Sequence, residues 1–379
     1  MKRIVISGYY GFGNIGDEAV LAGIIASFRT IQDDVELLVL SGDPAHTSAT
    51  HGVQAINRCA ISAVISAIRD ADLLISGGGS LLQDITSARS AAYYFGLMLI
   101  AELCRAPFMI YAQGIGPITR SVTKLQMRTL LNRARLISVR DEDSANLLLL
   151  LGVKKPPIYV TADPSFALEP AEDDEARRIL GEAQVPEGKP LLGVAVRHWS
   201  VSESWPDVLA RGISDAAAQL GATPVFIPMH QPDDIALAED IAKRLTVPSV
   251  ILRTQLTPSQ AKAIVGQMDV MLAMRLHALM FAAAQGTPAV AMTYDPKVTA
   301  FANSFSENMP VIDARETTAD EITRTIIDAW ANREDIRSAL YAKLPELRRK
   351  AVRNTCLALS LLNSKGTITE LDESDYHGL

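Results

Sequence analysis

A short β-branched run at the start of the chain, residues 4–6, leads into four glycines within nine residues: Gly8, Gly11, Gly13 and Gly16. An apolar segment with helical spacing follows over residues 19–28. This order predicts a strand, a tight loop and a helix whose N-terminus points at whatever lies above the strand. The spacing Gly11-x-Gly13-x-x-Gly16 also matches the glycine fingerprint of dinucleotide-binding folds.

An NAD site would need an acidic residue about 20 residues beyond the glycines to bind the ribose hydroxyl. The available candidate is Asp43, which lies 27 residues after Gly16 and follows a Ser-Gly turn. Asp17 and Glu18 would also place negative charge where the pyrophosphate should lie. These features favour a loop that contacts another ligand, while an NAD site and a plain strand-to-helix turn stay open.

Apolar runs alternate with helical segments along most of the chain. The runs cover residues 35–40, 73–76, 108–112, 136–139 and 158–161, and then 191–196, 224–227, 250–252, 270–273 and 289–292. Strands that are apolar throughout are typical of parallel sheets covered by helices on both faces. The pattern therefore predicts an α/β fold with two Rossmann-like, doubly wound domains that face a cleft.

The length of 379 residues also suggests two domains. We expect an N-terminal domain over residues 1–168 and a C-terminal domain over 189–333, followed by a helical segment, 334–363, and a polar tail, 364–379. The net charge of −7 argues against nucleic-acid binding. Three distant cysteines, the absence of a secretory leader and apolar runs too short to span a bilayer predict a soluble, cytoplasmic protein.

Polar residues follow the predicted strands, and ligands on parallel sheets bind at the carboxyl ends of strands. Arg275 and His277 begin a helix after an apolar strand, which brings a guanidinium and an imidazole to a partly positive helix terminus. Lys297 and Arg140 also follow strands, although Lys297 could be solvated and Arg140 could pair with Asp141 or Asp143. His230 has no second histidine at ligand spacing, so we expect no metal site.

Several motifs together resemble the polysaccharide pyruvyl transferase family, and its CsaB-like enzymes in particular. The matching pieces are Gly8-Tyr9-Tyr10-Gly11-Phe12-Gly13-Asn14-Ile15-Gly16-Asp17-Glu18, Ser76-Gly77-Gly78-Gly79-Ser80-Leu81-Leu82-Gln83-Asp84, Ala112-Gln113-Gly114-Ile115-Gly116-Pro117, Ser138-Val139-Arg140-Asp141, Ala162-Asp163-Pro164-Ser165, Met274-Arg275-Leu276-His277-Ala278 and Tyr294-Asp295-Pro296-Lys297. They occur in order over nearly the whole chain, which makes the resemblance more specific than any single motif.

The resemblance implies a fold like the GT-B glycosyltransferases, with the C-terminal helix 334–363 crossing back to the first domain. It implies transfer of a pyruvyl group from phosphoenolpyruvate to a sugar diol as a cyclic, 4,6-type ketal. In CsaB-like members the acceptor is similar to the N-acetylmannosamine of a lipid-linked precursor of secondary cell wall polymer, and the ketal helps to anchor S-layer proteins. No cofactor is expected beyond phosphoenolpyruvate as co-substrate.

Phosphoenolpyruvate carries a carboxylate and a phosphate, so its pocket needs fixed cations. We assign the donor to the second domain and to Arg140, Arg275, His277 and Lys297, with His277 as general acid and Arg275 as its catalytic partner. The acceptor is assigned to the first domain. Its predicted ligands are Phe12, Asn14, Asp17, Gly78, Gly79, Asp84 and Gln113.

Two other functions stay open. A GT-B glycosyltransferase using a nucleotide sugar would share the architecture, and a dinucleotide sensor would rest on the opening glycines alone. The basic helix near residues 348–353 is either a solvated face or a weak contact with the inner face of the membrane. The sequence leaves the oligomeric state and the acceptor sugar undetermined.

Overall fold

The computed structural model describes residues 1–84, 88–199 and 205–363. The predicted tail, residues 364–379, lies outside this part of the chain. The described chain forms two compact units. The first comprises residues 1–12, 17–168 and 346–363, and the second comprises residues 13–16 and 169–345.

The first unit contains a parallel sheet of seven strands. They are β1 (Lys2–Ser7), β2 (Val35–Ser41), β3 (Gln54–Asn57), β4 (Leu73–Ser76), β5 (Phe108–Gln113), β6 (Leu136–Val139) and β7 (Ile158–Val160). Their order in the sheet is β3-β2-β1-β4-β5-β6-β7, with every neighbouring pair parallel. The order reverses between β1 and β4, which is where doubly wound sheets bind ligands.

Helices cover both faces of this sheet. They are α1 (Ile15–Ile31), α2 (Pro44–His51), α3 (Ile61–Arg69), α4 (Ala88–Cys104), α5 (Ser121–Leu131) and α6 (Glu142–Leu150), and a 3₁₀ turn (Pro164–Ala167) follows β7. Side chains of α3 to α6 form one apolar core with the sheet, and those of α1 form a second core. The apolar strands are buried from both sides for this reason.

The second unit repeats the plan with six parallel strands: β8 (Leu191–Ala195), β9 (Thr223–Phe226), β10 (Val250–Ile251), β11 (Val270–Ala273), β12 (Ala289–Thr293) and β13 (Val311–Asp313). Their order is β10-β9-β8-β11-β12-β13, with the reversal between β8 and β11. The predicted class, α/β with two doubly wound parallel sheets, is confirmed.

The remaining helices are α7 (Asp173–Glu182), α8 (Trp205–Leu220), α9 (Asp233–Ala242), α10 (Pro258–Gly266), α11 (Leu276–Gln285), α12 (Pro296–Asn303), α13 (Ala319–Ala331) and α14 (Arg333–Asn363), with a 3₁₀ turn at Ser306–Asn308. Among the helices described, none is both long enough and apolar enough to cross a membrane.

The part of α14 from Glu346 onward belongs to the first unit and packs beside α1. Asn354 is fully buried there: its side-chain oxygen accepts a hydrogen bond from the Thr161 hydroxyl at 2.8 Å, and its amide nitrogen donates to the Ala162 carbonyl at 3.1 Å. The hydroxyls of Tyr111 and Thr355 are hydrogen-bonded at 2.7 Å. These polar contacts set which side of the helix is buried.

Replacing Asn354 should therefore destabilise the first unit. Asn354→Ala leaves the Thr161 hydroxyl and the Ala162 carbonyl buried with fewer partners, which should lower the free energy of unfolding by about 1–3 kcal/mol. Urea denaturation measures this loss. Arg349→Ala, an exposed position on the same helix, is the control and should change stability by about 0.5 kcal/mol or less. Equal effects of the two variants would contradict the anchoring role of Asn354.

Candidate active site

In the second unit, polar side chains follow four neighbouring strands. Arg197 comes just after β8, His230 after β9, Arg275 after β11 and Tyr294 after β12. Because the strands are parallel and adjacent, these residues gather along one edge of the sheet, around the reversal between β8 and β11. We call this edge the cationic rim.

Asp234, on α9, fixes the centre of the cationic rim. Its carboxylate accepts hydrogen bonds from the backbone nitrogens of Met229 at 3.1 Å and His230 at 3.0 Å. It also forms a two-point ion pair with Arg275, with 3.0 Å from Nε to Oδ2 and a second short contact from Nη2 to Oδ1. Asp234 is 1% exposed, so the pair holds the guanidinium of Arg275 in one orientation.

Residues 13–16 of the opening loop belong to the second unit and lie on the cationic rim. Asn14 forms an antiparallel bridge with His230, and the backbone nitrogen of Ile15 donates to the Met229 carbonyl at 2.9 Å. A Cβ added at Gly16 would lie 2.6 Å from Cγ of His277 and closer still to its Nδ1. Glycine at position 16 is therefore required by the close approach of the His277 imidazole.

Arg197, Trp199 and Tyr294 form the neighbouring corner of the rim. Arg197 Nη1 donates to the Tyr294 hydroxyl at 2.7 Å, and the rings of Trp199 and Tyr294 are 4.7 Å apart. Burial raises the pKa of Tyr294, while the Arg197 charge opposes that rise. Arg197 Nε and Trp199 Nε1 are buried and have no hydrogen-bond partner in the described part of the chain. Two buried donors without acceptors suit an anionic ligand.

The first unit has its own group of polar atoms where β1, β4 and β5 end. Gln113 donates from Nε2 to the Ser76 carbonyl at 3.1 Å and to the Ser76 hydroxyl at 2.8 Å. Gln113 Oε1 and the hydroxyls of Ser7, Tyr10 and Tyr94 are buried without a hydrogen-bond partner among residues the structure describes. Burial raises the pKa of Tyr10 and of Tyr94, so both phenols stay protonated. This group can bind a ligand rich in hydroxyls.

Arg140 and Asp84 hold loops within the first unit. Arg140 Nη1 pairs with Asp163 at 2.9 Å, and its Nη2 donates to the Ser80 hydroxyl at 3.1 Å. Asp84 accepts hydrogen bonds from the Thr119 and Arg120 backbone nitrogens, each at 2.8 Å. Burial acts to raise the pKa of Asp84, but these hydrogen bonds outweigh it and lower the pKa. Asp84 therefore stays ionised and fixes the start of α5.

The other residues assigned from sequence lie as follows. Phe12 is 38% exposed and stacks on Tyr9, with ring centroids 4.4 Å apart. Gly79 forms a bridge with Gln113, and a Cβ added there would lie 3.1 Å from Asp17 Oδ1. An added Cβ at Gly78 would meet Val20 at 2.7 Å. Lys297 stands in the first turn of α12, and its backbone nitrogen donates to Asp295 at 2.9 Å.

The structure thus brings Arg275 and His277 onto one rim together with Asn14, while Lys297 lies one strand further on in the same unit. Arg140, Phe12, Asp17, Gly78, Gly79, Asp84 and Gln113 belong to the first unit. Asp234 is a site residue that the sequence alone did not single out. The pairing with Arg275 spans 41 residues, so no local signal could have revealed it. No group of three or more His, Cys, Asp or Glu side chains in the described chain could hold a metal ion.

A comparison with protein families identifies the class. Residues 14–296 match the family described as polysaccharide pyruvyl transferase. The match covers most of the chain, so this protein belongs to the polysaccharide pyruvyl transferase family, whose members take a pyruvyl donor and a polysaccharide acceptor. No functionally curated protein matches the sequence.

Solved structures show the same architecture at low sequence identity. The UDP-GlcNAc 2-epimerase of Neisseria meningitidis, bound to UDP-GlcNAc, has a TM-score of 0.64 and 13% identity, covering 95% of this chain and 99% of that one. Staphylococcus aureus MnaA with UDP has a TM-score of 0.66 and 12% identity, covering 97% and 100%. Anabaena HepE, in complex with UDP and glucose, has a TM-score of 0.62 and 14% identity, covering 95% and 99%. These likenesses confirm the predicted GT-B-like fold.

The close approach of Gly16 to His277 gives a direct test of the rim geometry. Gly16→Ala should displace the imidazole and cost about 1–3 kcal/mol of stability through overpacking. The side-chain ¹H and ¹⁵N resonances of His277 should shift in an NMR spectrum of the variant. Gly181→Ala is the matched control, because an added Cβ there meets nothing within 4 Å. Unchanged His277 resonances in Gly16→Ala would contradict the packing described.

Proposed function

We propose that this protein transfers a pyruvyl group from phosphoenolpyruvate to two hydroxyls of a sugar, forming a cyclic ketal. One observation supports the donor most strongly. The guanidinium of Arg275, fixed by buried Asp234, shares the cationic rim with His277 and with two buried donors that have no acceptor among the described residues, Arg197 Nε and Trp199 Nε1. A small ligand with both a carboxylate and a phosphate matches this set of cations and donors.

The donor ligands differ in what each can contribute. Arg275 is held in a fixed orientation, so it can bind one anionic group of phosphoenolpyruvate without losing side-chain entropy. Arg197 and Trp199 can donate to the second anionic group, because their free donors are already desolvated. Lys297 and Arg140, which the motifs also assign to the donor, remain predicted ligands. The proposal includes no metal ion and no cofactor.

His277 is the proposed general acid, because an imidazole can hold a transferable proton near neutral pH. It donates a proton to the methylene carbon of phosphoenolpyruvate, which turns that carbon into a methyl group and leaves C2 electron-poor. A sugar hydroxyl then adds to C2 and loses its proton. The C2–O bond to phosphate breaks, and the second hydroxyl adds to C2 and closes the ring. The two sugar hydroxyls have then released two protons. One leaves with inorganic phosphate and the other restores His277, so the reaction balances.

The acceptor is assigned to the polar group of the first unit. Gln113 Oε1 and the hydroxyls of Ser7, Tyr10 and Tyr94 are buried without partners among the described residues, and sugar hydroxyls can both donate to and accept from such groups. Exposed Phe12 offers an apolar surface for a sugar ring. Asp17, Gly78, Gly79 and Asp84 border the same strand ends, and Asn14 lies on the cationic rim.

The motifs shared with CsaB-like enzymes support a finer proposal for the acceptor. We infer an N-acetylmannosamine carried by a lipid-linked precursor of secondary cell wall polymer, pyruvylated as a 4,6-ketal for S-layer anchoring. The reaction would then take place in the cytoplasm, at the inner face of the membrane. The resemblance of the motifs supports this proposal.

The decisive experiment supplies phosphoenolpyruvate together with a panel of amino-sugar glycosides. Mass spectrometry should detect a product that is heavier than one glycoside by a pyruvate ketal, with phosphate released in equal amount. Glycosides that lack one hydroxyl of the diol serve as controls, because they cannot close the ring. Phosphate release without a ketal product from any glycoside would refute the proposed reaction.

His277→Ala should lower the rate of acceptor-dependent phosphate release by about 10²- to 10⁴-fold, the range that a general acid contributes. Phosphate release is followed by a coupled colour assay at saturating phosphoenolpyruvate. His46→Ala, which removes a histidine of α2 in the first unit, is the matched control and should keep the wild-type rate. A His277→Ala enzyme with full activity would remove His277 from the mechanism.

Ligand-dependent stability separates this function from a nucleotide-sugar glycosyltransferase. Phosphoenolpyruvate at 100 times its dissociation constant should raise the unfolding free energy by about 2.7 kcal/mol, seen as a higher melting temperature. UDP-sugars should leave the melting temperature unchanged, since the Asp234 carboxylate of the rim is buried and paired with Arg275 and is therefore not available to a ribose. Stabilisation by UDP-sugars alone would favour the glycosyltransferase.

A further inference from the structure

One layer of the first unit carries most of the exposed apolar surface. Among the described residues, twelve large apolar side chains are exposed, and eight of them lie on the four consecutive helices α3 to α6. The most exposed on α4 and α5 are Leu103 at 76%, Val122 at 67%, Leu125 at 64% and Leu99 at 47%. These helices pack on the same face of the sheet. An exposed apolar area concentrated in this way is typical of an interaction surface.

The outward face of α5 is both apolar and basic. Val122 and Leu125 are three positions apart and Lys124 and Arg128 are four apart, while Thr123, Met127 and Leu131 form the buried face. Leu99 and Leu103 extend the surface on α4, which packs against α5. We call Leu99, Leu103, Val122, Lys124, Leu125 and Arg128 the α4–α5 patch.

Positive charge is concentrated around this patch although the whole chain has a net charge of −7. Residues 99–135 contain six basic residues and one acidic residue: Arg105, Arg120, Lys124, Arg128, Arg133 and Arg135 against Glu102. All six basic side chains are exposed. Arg133 pairs with Glu102 at 2.9 Å, and the other five form no ion pair within the part of the chain described. These five charges are available to an external anion.

We propose that the α4–α5 patch binds the surface of an anionic lipid bilayer. Aliphatic side chains flanked by Lys and Arg can enter the boundary between headgroups and acyl chains while the cations contact lipid phosphates. A protein partner fits less well, because protein interfaces are enriched in aromatic residues and depleted of Lys, and the patch has no aromatic residue. A second copy of the chain is also unfavourable, since a two-fold contact would place the same cations against each other.

Two basic residues of the α14 segment that the sequence suggested for this role are already engaged. Lys350 pairs with Glu346 at 2.7 Å, and the Arg353 guanidinium lies 5.6 Å from the centre of the Tyr159 ring. Ala351, Thr355 and Ala358, on the inner side of this segment, are fully buried. The inner side of this segment is therefore covered by the first unit and is not available for insertion beside its charges.

Co-sedimentation with vesicles tests the proposal without any sugar or phosphoenolpyruvate. Full-length protein should bind vesicles of phosphatidylglycerol and phosphatidylcholine, bind phosphatidylcholine alone weakly, and lose affinity as salt is raised. Lys124→Glu combined with Arg128→Glu should weaken binding to the anionic vesicles by about tenfold or more. The matched control reverses two exposed arginines of α7, Arg177→Glu with Arg178→Glu, and should bind like the wild type.

The apolar half of the patch has its own test. Val122→Ser combined with Leu125→Ser should also weaken vesicle binding, and the loss should persist at high salt because it removes apolar insertion. Val311→Ser, an exposed apolar position of the second unit, is the control. Circular dichroism should show unchanged melting for these surface variants.

The proposal is overturned if the wild type ignores anionic vesicles, or if the α4–α5 variants bind them as tightly as the wild type. It is also overturned if Arg349→Glu on α14 abolishes binding while Lys124→Glu with Arg128→Glu does not. A different outcome would show that the surface contacts a second copy of the chain. In that case Val122→Ser with Leu125→Ser would change the oligomeric state, measured by sedimentation equilibrium, and the wild type would not bind vesicles. Pyruvyl transfer to a soluble glycoside is independent of these outcomes, so failure of either proposal is recognised separately.

Discussion

Parallel strands must be covered by helices on both faces, and this constraint determines where the protein can place polar chemistry. The strand interiors are mostly apolar and buried in both units, so the polar side chains of the two candidate sites gather at or just beyond the carboxyl ends of the strands. Both sheets reverse their strand order near the middle, which opens a crevice at those ends. The cationic rim of the second unit and the group of buried polar atoms in the first both follow from this geometry.

The two polar groups are built in opposite ways. On the cationic rim a buried carboxylate, Asp234, fixes a guanidinium and two backbone nitrogens, so positive charge is held in place before any ligand binds. In the first unit, Arg140 pairs with Asp163 and Asp84 accepts hydrogen bonds from the loop before α5. The buried polar atoms without a hydrogen-bond partner among the described residues of this unit's polar group are hydroxyls and an amide oxygen. A fixed cation suits a small anion, and uncharged polar groups suit a sugar. The arrangement is consistent with membership of the polysaccharide pyruvyl transferase family.

The opening glycine loop has the local structure that its spacing predicts, and its contacts give Gly16 a packing role. Its spacing matches a dinucleotide fingerprint, and it does join a strand to a helix. Residues 13–16, however, lie against His230 and His277, and the space that a side chain at Gly16 would need is filled by an imidazole. The glycine spacing therefore allows a histidine to pack against the backbone here. Acidic residues lie at the start of the helix, where they would repel a pyrophosphate.

The sequence alone determined the fold class, the strand ends that carry polar residues, the Arg275-x-His277 pair and the family, because these depend on local periodicity and on motifs in chain order. Only the tertiary structure decided which side chains pair: Asp234 with Arg275, Arg140 with Asp163, and Asn354 with Thr161 across 193 residues. It also decided that the exposed apolar and basic side chains of α4 and α5 share one surface. Local spacing fixes the direction of a side chain within its own element, but its neighbours come from elements distant in sequence.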